Sequence, residues 1–97
     1  MIDWSSSIMH AIVTVIGHDR VGIIAGICVA LANINVNVLD ISQTILGGMF
    51  TMIMLVDIEA ASVPFDRIAT VLDEEGERLG VNIRIQREDI FNAMHRI

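Results

Sequence analysis

The chain has 97 residues and a mass of 10.7 kDa, which suffices for one domain near the lower end of the usual size range. Its formal net charge is −6, and its six cationic side chains are all arginines, no two of them adjacent. Nucleic-acid binding draws on clustered cations and stacked aromatic rings, and the chain has only one Trp and three Phe, so we do not expect direct binding of DNA or RNA.

Hydrophobic residues make up 54% of the chain, a high fraction for a small soluble protein. Part of this apolar surface should remain outside a monomer core, so we expect a homo-oligomer, most simply a dimer. A membrane-spanning helix needs about 18 consecutive apolar residues, and we expect no membrane association because polar residues interrupt every long apolar run. The interrupting residues are Asp19, Arg20, Asn33, Asn35, Asn37 and Asp40.

The cysteine content argues against a metal site or a disulfide. Cys28 is the only cysteine, which excludes an internal disulfide, and neither a CxxC pair nor a nearby His pair accompanies it. We therefore expect Cys28 to be a small buried apolar residue, and we expect neither a metal nor another cofactor. Together with the absence of a signal peptide, this predicts a cytoplasmic protein.

The first half of the chain alternates between strand and helix patterns. Residues 1–8 show neither pattern and are predicted to form a flexible N-terminal extension, which leaves residues 9–97 as a single domain. Residues 9–16 are rich in β-formers, residues 22–34 have apolar side chains at helical spacing, and residues 36–46 are again strand-like.

The second half continues with a hairpin, a helix, a strand and a closing helix. Gly47-Gly48 predicts a tight antiparallel turn into a strand over residues 49–58. Ser62 is predicted to cap a helix that carries Pro64 in its first turn and ends at Gly80. Residues 81–86 then alternate between apolar and polar side chains, and the apolar residues among 90–97 fall on one side of a short helix.

This order, βαββαβ followed by an extra helix, predicts the fold class. Right-handed crossovers place the strands in an antiparallel sheet of order 4-1-3-2 with both main helices on one face, which is an α+β ferredoxin-like plait. The two central strands carry apolar residues on both alternations. We therefore expect the sheet face without main helices to pack on a second subunit or under the final helix.

The junction between the first strand and the first helix is suited to a small anion. Glycines 17 and 22 flank a short polar loop, and the first N–H groups of the following helix have no partner inside it and carry the positive end of its dipole. A carboxylate fits such a site. The alternative is a plain turn between a strand and a helix, which needs the same glycines.

Two motifs within this pattern resemble a known family. Gly17-x-Asp19-x-x-Gly22-Ile23-x-Ala25, followed by Val36-Asn37-Val38-x-Asp40-Ile41-Ser42-Gln43-Thr44, resembles the ACT-domain signature. The compact length and the ending over residues 90–97 resemble small stand-alone ACT-domain proteins, which are similar to each half of the glycine-cleavage-system regulator. The resemblance covers residues 9–97.

The resemblance implies a regulatory module that binds an amino acid or a similar metabolite at a subunit interface, between the first loop of one subunit and the second strand of its neighbour. The ligand carboxylate would lie at the helix start and its ammonium near side-chain oxygens. The family's contact positions fall on Asp19 and Asn37, although members that hold a ligand through an amide often have Asn at the first. The implied ligand-binding residues are Asp19, Arg20, Val21, Gly22, Ile23, Asn35, Asn37 and Asp40.

Each polar residue of this set also has a purely structural interpretation. Asp19 can cap the helix or complete the turn, Asn37 can satisfy the bend at the strand entrance, and Asp40 can bond to backbone or to Thr44. His18 is expected to be an exposed loop residue rather than a pH sensor or metal ligand.

Two other classes of function compete with metabolite binding. Acylphosphatase, another ferredoxin-like plait, uses Arg and Asn, but its glycine-rich cradle is missing here and no nucleophile–base pair is apparent, so we do not expect an enzyme. The stronger alternative is a ligand-free module that dimerises or docks on a partner enzyme or regulator. These interpretations differ in whether Asp19, Gly22 and Asn37 line an open interface cavity or are closed off by Phe50, Met52 and Met54. In either case, we expect a separate effector protein to receive the signal.

Overall fold

The computed structural model describes residues 9–18 and 21–87, which form four strands and two helices in the predicted order. The elements are β1 (His10–His18), α1 (Ile23–Asn33), β2 (Asn37–Leu46), β3 (Met49–Asp57), α2 (Phe65–Leu79) and β4 (Val81–Arg87). The expected N-terminal extension and closing helix, like Asp19 and Arg20, lie outside the described residues.

The strands form one antiparallel sheet in the order β2-β3-β1-β4, which confirms the predicted order and the ferredoxin-like fold. Both helices pack on the same face of this sheet. Ile27 and Leu31 of α1 and Ile68 and Leu72 of α2 are fully buried there, because each helix turns one apolar stripe toward the strands. A single core results, between the sheet and the helix pair.

The central strands are apolar on both faces, as predicted. Val13 and Val15 of β1 and Met52 and Met54 of β3 are completely buried under the helices. Their neighbours along each strand point to the opposite face, which we call the open face. Two isoleucines of the open face remain well exposed, namely Ile16 at 47% and Ile53 at 44%.

Glycines make the tight connections that the sequence predicts. Gly47 and Gly48 have φ values of 59° and 81° and join β2 to β3, and positive φ at both turn positions matches the twist of a two-residue hairpin. Gly80 has a φ of 75° and donates its N–H to the carbonyl of Gly76, which ends α2.

The predicted capping role of Ser62 is wrong. Helix α2 begins at Phe65 with Pro64 as its N-cap, and the Pro64 carbonyl accepts the N–H of Ile68 at 3.0 Å. The residue before a proline disfavours helical backbone, which excludes Val63, and Pro64 is itself extended with a ψ of 166°, so the helix starts only after Pro64. Ser62 instead donates its backbone N–H to the Ile34 carbonyl at 2.9 Å and ties this loop to the end of α1.

A β-bulge interrupts β2 at Leu39. Val38 pairs with Val56, whereas Asp40 pairs with Leu55, so Leu39 has no opposite residue. The extra residue shifts the alternation of side chains. Asn37 and Asp40 consequently share the open face, although strict alternation would put them on opposite faces.

Candidate functional site

The Gly22 loop forms one half of the candidate site. Gly22 has a φ of 93°, in the left-handed region that favours glycine, and is the N-cap of α1. Val21 beside it is fully exposed, whereas Ile23 is buried and anchors the helix start in the core. A methyl group at Gly22 would meet no atom within 4 Å, so the loop opens to solvent.

The start of α1 has hydrogen-bonding capacity for an anion. The Gly26 N–H bonds to the Gly22 carbonyl at 2.9 Å, and the N–H groups of residues 23–25 precede the first intrahelical bond. No acidic side chain lies in the first turn of α1, and its N-cap supplies no side-chain hydrogen bond. The positive end of the helix dipole is therefore not neutralised within the turn itself.

The second half of the candidate site lies at the entrance to β2. Asn35 has a φ of 61° and donates from Nδ2 to the Ala60 carbonyl at 2.8 Å. Its amide nitrogen thus holds the loop that precedes α2. Asn37 opens β2 and is exposed on the open face, opposite Asp57 of β3.

Asp40 lies three residues further along β2 and is also exposed. Its Oδ1 accepts the backbone N–H of Ile41 at 2.9 Å. This is the structural role that the sequence left open for Asp40. Its other carboxylate oxygen gives Asp40 remaining acceptor capacity toward the open face.

The two halves of the candidate site lie at opposite ends of the sheet. Asn37 pairs with Asp57, which pairs with His10 at the start of β1, whereas the Gly22 loop follows His18 at the end of β1. The eight residue steps of β1 span about 26 Å at roughly 3.3 Å per residue. A single chain therefore cannot bring these two groups to one small ligand.

The Gly22 region is open rather than closed off. Phe50, Met52 and Met54 are buried beneath the helices and belong to the core, so they do not cover Gly22. The exposed side of Gly22 continues into an open groove of about 800 Å³ between α1 and α2. The groove is lined mainly by small or apolar residues of α1 and by the last turns of α2.

An ion pair crosses the α2 side of this groove. Arg78 donates through Nε to Glu75 Oε1 at 3.2 Å and through its terminal nitrogen to Oε2. The hydrogen bond to Glu75, aided by charge attraction, raises the pKa of Arg78. Gly26 of α1 lies directly beneath the pair, where a Cβ would come within 2.8 Å of Glu75 Oε2.

A second exposed surface, which the sequence analysis did not identify, runs along β2. Ile41 and Ile45 pair with the buried Met54 and Phe50, so they lie on the helix side of the sheet, yet they are 39% and 54% exposed. Ile24 is 36% exposed, and Cys28 is half-buried against the core rather than fully buried as expected. Neither lines the groove between the helices, so both lie on the flank of α1 that faces away from α2. We call Ile24, Cys28, Ile41 and Ile45 the edge patch. Apolar residues on both alternations of β2 are the sequence signal from which this surface could have been predicted.

Residues 9–18 and 21–87 were also searched for groups that could bind a metal ion and for helices that could cross a membrane. No group of three His, Cys, Asp or Glu side chains among residues 9–18 and 21–87 is arranged to hold a metal ion. Neither described helix has the length and apolarity needed to cross a membrane.

Comparison with known proteins now defines the class of protein. The sequence model of the ACT domain matches residues 9–86. An ACT domain protein from Streptococcus pneumoniae is 38% identical in sequence and superposes with a TM-score of 0.76, covering 86% of this chain and 93% of that one. A putative glycine cleavage system transcriptional repressor is 25% identical with a TM-score of 0.70, and the match covers 84% of this chain and 47% of that protein.

A UPF0237 protein of Clostridium acetobutylicum is 57% identical over 89 residues, which are 92% of this chain and all of that protein. The chain therefore belongs to the ACT-domain family and, within it, to the UPF0237 group of small proteins. This confirms the resemblance seen in the two sequence motifs. ACT domains are typically regulatory and ligand-binding, and they commonly oligomerise.

Proposed function

We propose that this protein is a regulatory ACT domain that binds an amino acid at the interface of a homodimer. The observation that carries this proposal is the separation of the two halves of the candidate site. The Gly22 loop and the Asn37–Asp40 segment lie at opposite ends of one sheet. Two copies related by a two-fold axis would bring the loop of each copy to the β2 entrance of the other, which completes two identical sites.

The edge of β2 supplies the surface for such a pairing. β2 is one of the two edge strands of the sheet and runs for ten residues without Pro, Lys or Arg, and Asp40 is its only charged residue. Unprotected edges of this kind pair readily with another strand. The edge patch lies beside the free edge, so strand pairing would bury its apolar side chains at the same time.

An antiparallel pairing of two β2 edges has the required geometry. If the pairing is centred on the middle of β2, Asn37 of one copy lies opposite Leu46 of the other. Leu46 pairs with Met49, which pairs with His18, so it marks the end of the sheet from which the Gly22 loop emerges. Antiparallel β2 pairing would thereby bring the Asn37 end of each copy to the end of the sheet from which the Gly22 loop of the second copy emerges.

The chemistry of the two halves fits an amino-acid zwitterion. Its carboxylate would accept N–H groups at the start of α1 next to Gly22, where the helix dipole favours negative charge. Its ammonium would lie near the side-chain oxygens of Asn37 and Asp40. Asp19 and Arg20 precede Gly22 in the sequence and are candidate contacts in this proposal, in which the Asp19 carboxylate would favour the ammonium.

A ligand-free interaction module is the second candidate. Asn35 and Asp40 already have protein partners, the Ala60 carbonyl and the Ile41 N–H. The edge patch is apolar without any ligand, so hydrophobic burial alone would drive dimerisation. In that case, the dimer would present its surface to a separate effector protein without sensing a metabolite.

A titration with matched variants separates these candidates. Binding of the twenty amino acids to the wild-type protein is measured by calorimetry, followed by the same measurement on Asn37→Ala and Asn82→Ala. Both asparagines are exposed and lie on the open face, but Asn82 is on β4 at the far edge of the sheet. We expect Asn37→Ala to weaken binding about tenfold or more, as for a lost hydrogen bond to a charged group, and Asn82→Ala to bind normally. Absence of binding to the wild type would favour the interaction module.

Complementation between chains tests the composite site directly. Gly22→Val and Asn37→Ala are each expected to abolish or weaken binding in a homodimer. Mixing them allows heterodimers in which one site combines an intact Gly22 loop with an intact Asn37. Random reassortment should restore about one site in four. If binding does not return although mixed dimers form, the site lies within one chain and the proposal is wrong.

A further inference from the structure

Helix α1 exposes an apolar surface on the side that the core does not use. Its residues, Ile23–Asn33, include no charged side chain. Val29 is 59% exposed in the middle of the helix, Val21 just before it is fully exposed, and Ala25 between them is exposed as well. A helix on a protein surface ordinarily turns charged or polar side chains to the water. Burial of this apolar surface against a partner would therefore be favourable.

The exposed side of α1 forms one wall of the open groove between α1 and α2, and Val71 and Leu79 of α2 line the other. The groove extends along α1 from Gly22 to Asn33, which is about 16 Å at 1.5 Å per residue. No strand or helix formed by residues 9–18 and 21–87 lies over it. A helix of about three turns has the length to fill it.

The α2 wall of the groove is acidic. Helix α2 carries five carboxylates and two arginines, so its net charge is −3. Among the described residues that line the groove, Arg78 is the only cation, and it is paired with Glu75. Glu74 also lines the groove and forms no ion pair within residues 9–18 and 21–87. A cationic side chain beside this wall would therefore be attracted to it.

We propose that the groove is the docking site for a partner protein, which inserts an amphipathic helix of about three turns. The apolar stripe of that helix packs on Val21, Ala25 and Val29, and its lysine or arginine side chains lie beside α2 and reach Glu74. Binding of this kind places apolar anchors at helical spacing in a hydrophobic groove, and the flanking charges select the partner.

A second copy of this chain is a poor occupant of the groove. A two-fold axis through the groove would set α2 of one copy against α2 of the other, and like charges opposed across an interface are unfavourable. Neither described helix has the character that the groove requires, because α1 has no cation and α2 is net negative. The acidic wall likewise repels a membrane surface rich in anionic lipids.

A synthetic peptide probes the groove on the full wild-type chain. The probe has about fifteen residues, with leucines at helical spacing and lysines beside them. One control peptide has glutamates in place of the lysines, and a second has the composition of the probe in an order that forms no apolar stripe. In fluorescence anisotropy titrations, we expect the probe to bind at least about tenfold more tightly than either control. Equal affinity of the three peptides, or no binding of the probe, would overturn the proposal.

Matched substitutions on α2 locate the binding site of the probe. Glu74 lines the groove, whereas Glu77 lies on the side of α2 that faces β4. Both are exposed, so Glu74→Lys and Glu77→Lys change the net charge equally with little effect on stability. We expect Glu74→Lys to weaken probe binding about tenfold and Glu77→Lys less than about threefold, because exposed charges interact strongly only at short range. Equal weakening would show attraction by net charge alone and contradict the docking site.

Val29→Asp separates apolar contact from charge attraction. The new carboxylate makes the groove more acidic, so attraction alone would tighten the binding of the lysine-containing probe. Docking requires Val29 to be buried under the apolar stripe, and a charge buried there is unfavourable. We expect Val29→Asp to weaken probe binding about tenfold and to leave the oligomeric state unchanged in sedimentation velocity. Tighter binding would overturn the proposal, and so would dissociation of the oligomer, which would show that a second copy occupies the groove.

The docking measurements are made without any amino acid present. Their outcome therefore does not depend on whether the Gly22 loop binds a metabolite, and failure of one proposal leaves the other standing.

Discussion

Replacement of Ile45 by lysine should dissociate the proposed dimer without unfolding the subunit. Ile45 lies on the free edge of β2 and is 54% exposed. It is not part of the hydrophobic core, so the fold does not depend on it. The substitution removes an apolar side chain from the edge patch of both copies at once, because a two-fold interface repeats every residue. It also adds a cation to an edge, which is a common way to prevent strand pairing.

The magnitude follows from the exposed fraction of the side chain. Full burial of an isoleucine contributes about 1.5–3 kcal/mol, so burying the exposed half contributes roughly 0.8–1.5 kcal/mol per copy. Two copies lose about 1.5–3 kcal/mol together, which weakens the dimer roughly 10- to 150-fold in Kd. The stability of the monomer should change by no more than about 0.5 kcal/mol, as is usual for an exposed position.

The assay is sedimentation velocity over a wide range of protein concentration, with Ile16→Lys as the matched control. Ile16 is 47% exposed but lies on the open face of β1, away from the β2 edge. We expect Ile45→Lys to shift the dissociation curve and Ile16→Lys to leave it unchanged. The opposite result would place the dimer interface on the open face and refute the pairing of β2 edges.

Three further predictions concern the stability of the subunit and are measured by urea denaturation. Gly22→Ala should lower the free energy of unfolding by about 1–2 kcal/mol, because a φ of 93° strains any residue with a Cβ. Gly22→Asn should lower it less, since asparagine tolerates left-handed backbone. Gly76→Ala should lower the free energy of unfolding by about 1–3 kcal/mol through overpacking, because the added Cβ would lie 2.7 Å from the Val81 carbonyl oxygen. An unchanged denaturation midpoint would instead show that β4 moves freely at this point. Met54→Ala should cost about 2–5 kcal/mol through a cavity in the core, a loss that a merely surface position would not show.

Much of the fold was predictable from local patterns. Helix α1 follows from apolar residues at helical spacing, and the β2–β3 hairpin follows from Gly47-Gly48 between two strand-like segments. These signals depend on neighbouring residues alone. The order of the strands then followed from the element order, because right-handed crossovers leave few alternatives.

The predictions that were wrong, and the features that were not predicted, depend on contacts between distant parts of the chain. Ser62 carries a typical capping side chain, but Pro64 moved the helix start and the Ser62 N–H found the end of α1 instead. The bulge at Leu39 depends on how β2 pairs with β3, so alternation along β2 alone did not predict that Asn37 and Asp40 share a face.

The candidate site most clearly shows this difference between what local sequence determines and what long-range contacts determine. The sequence by itself determined which groups have the chemistry for an amino acid, namely a glycine loop at a helix start and polar residues at a strand entrance, because these properties reside in single residues and short motifs. Only the tertiary structure decided that these groups lie at opposite ends of one sheet, separated along the strands by the length of β1, about 26 Å. Position in the sheet is set by the pairing of strands far apart in sequence, and it is this separation that makes a second copy necessary for the proposed site.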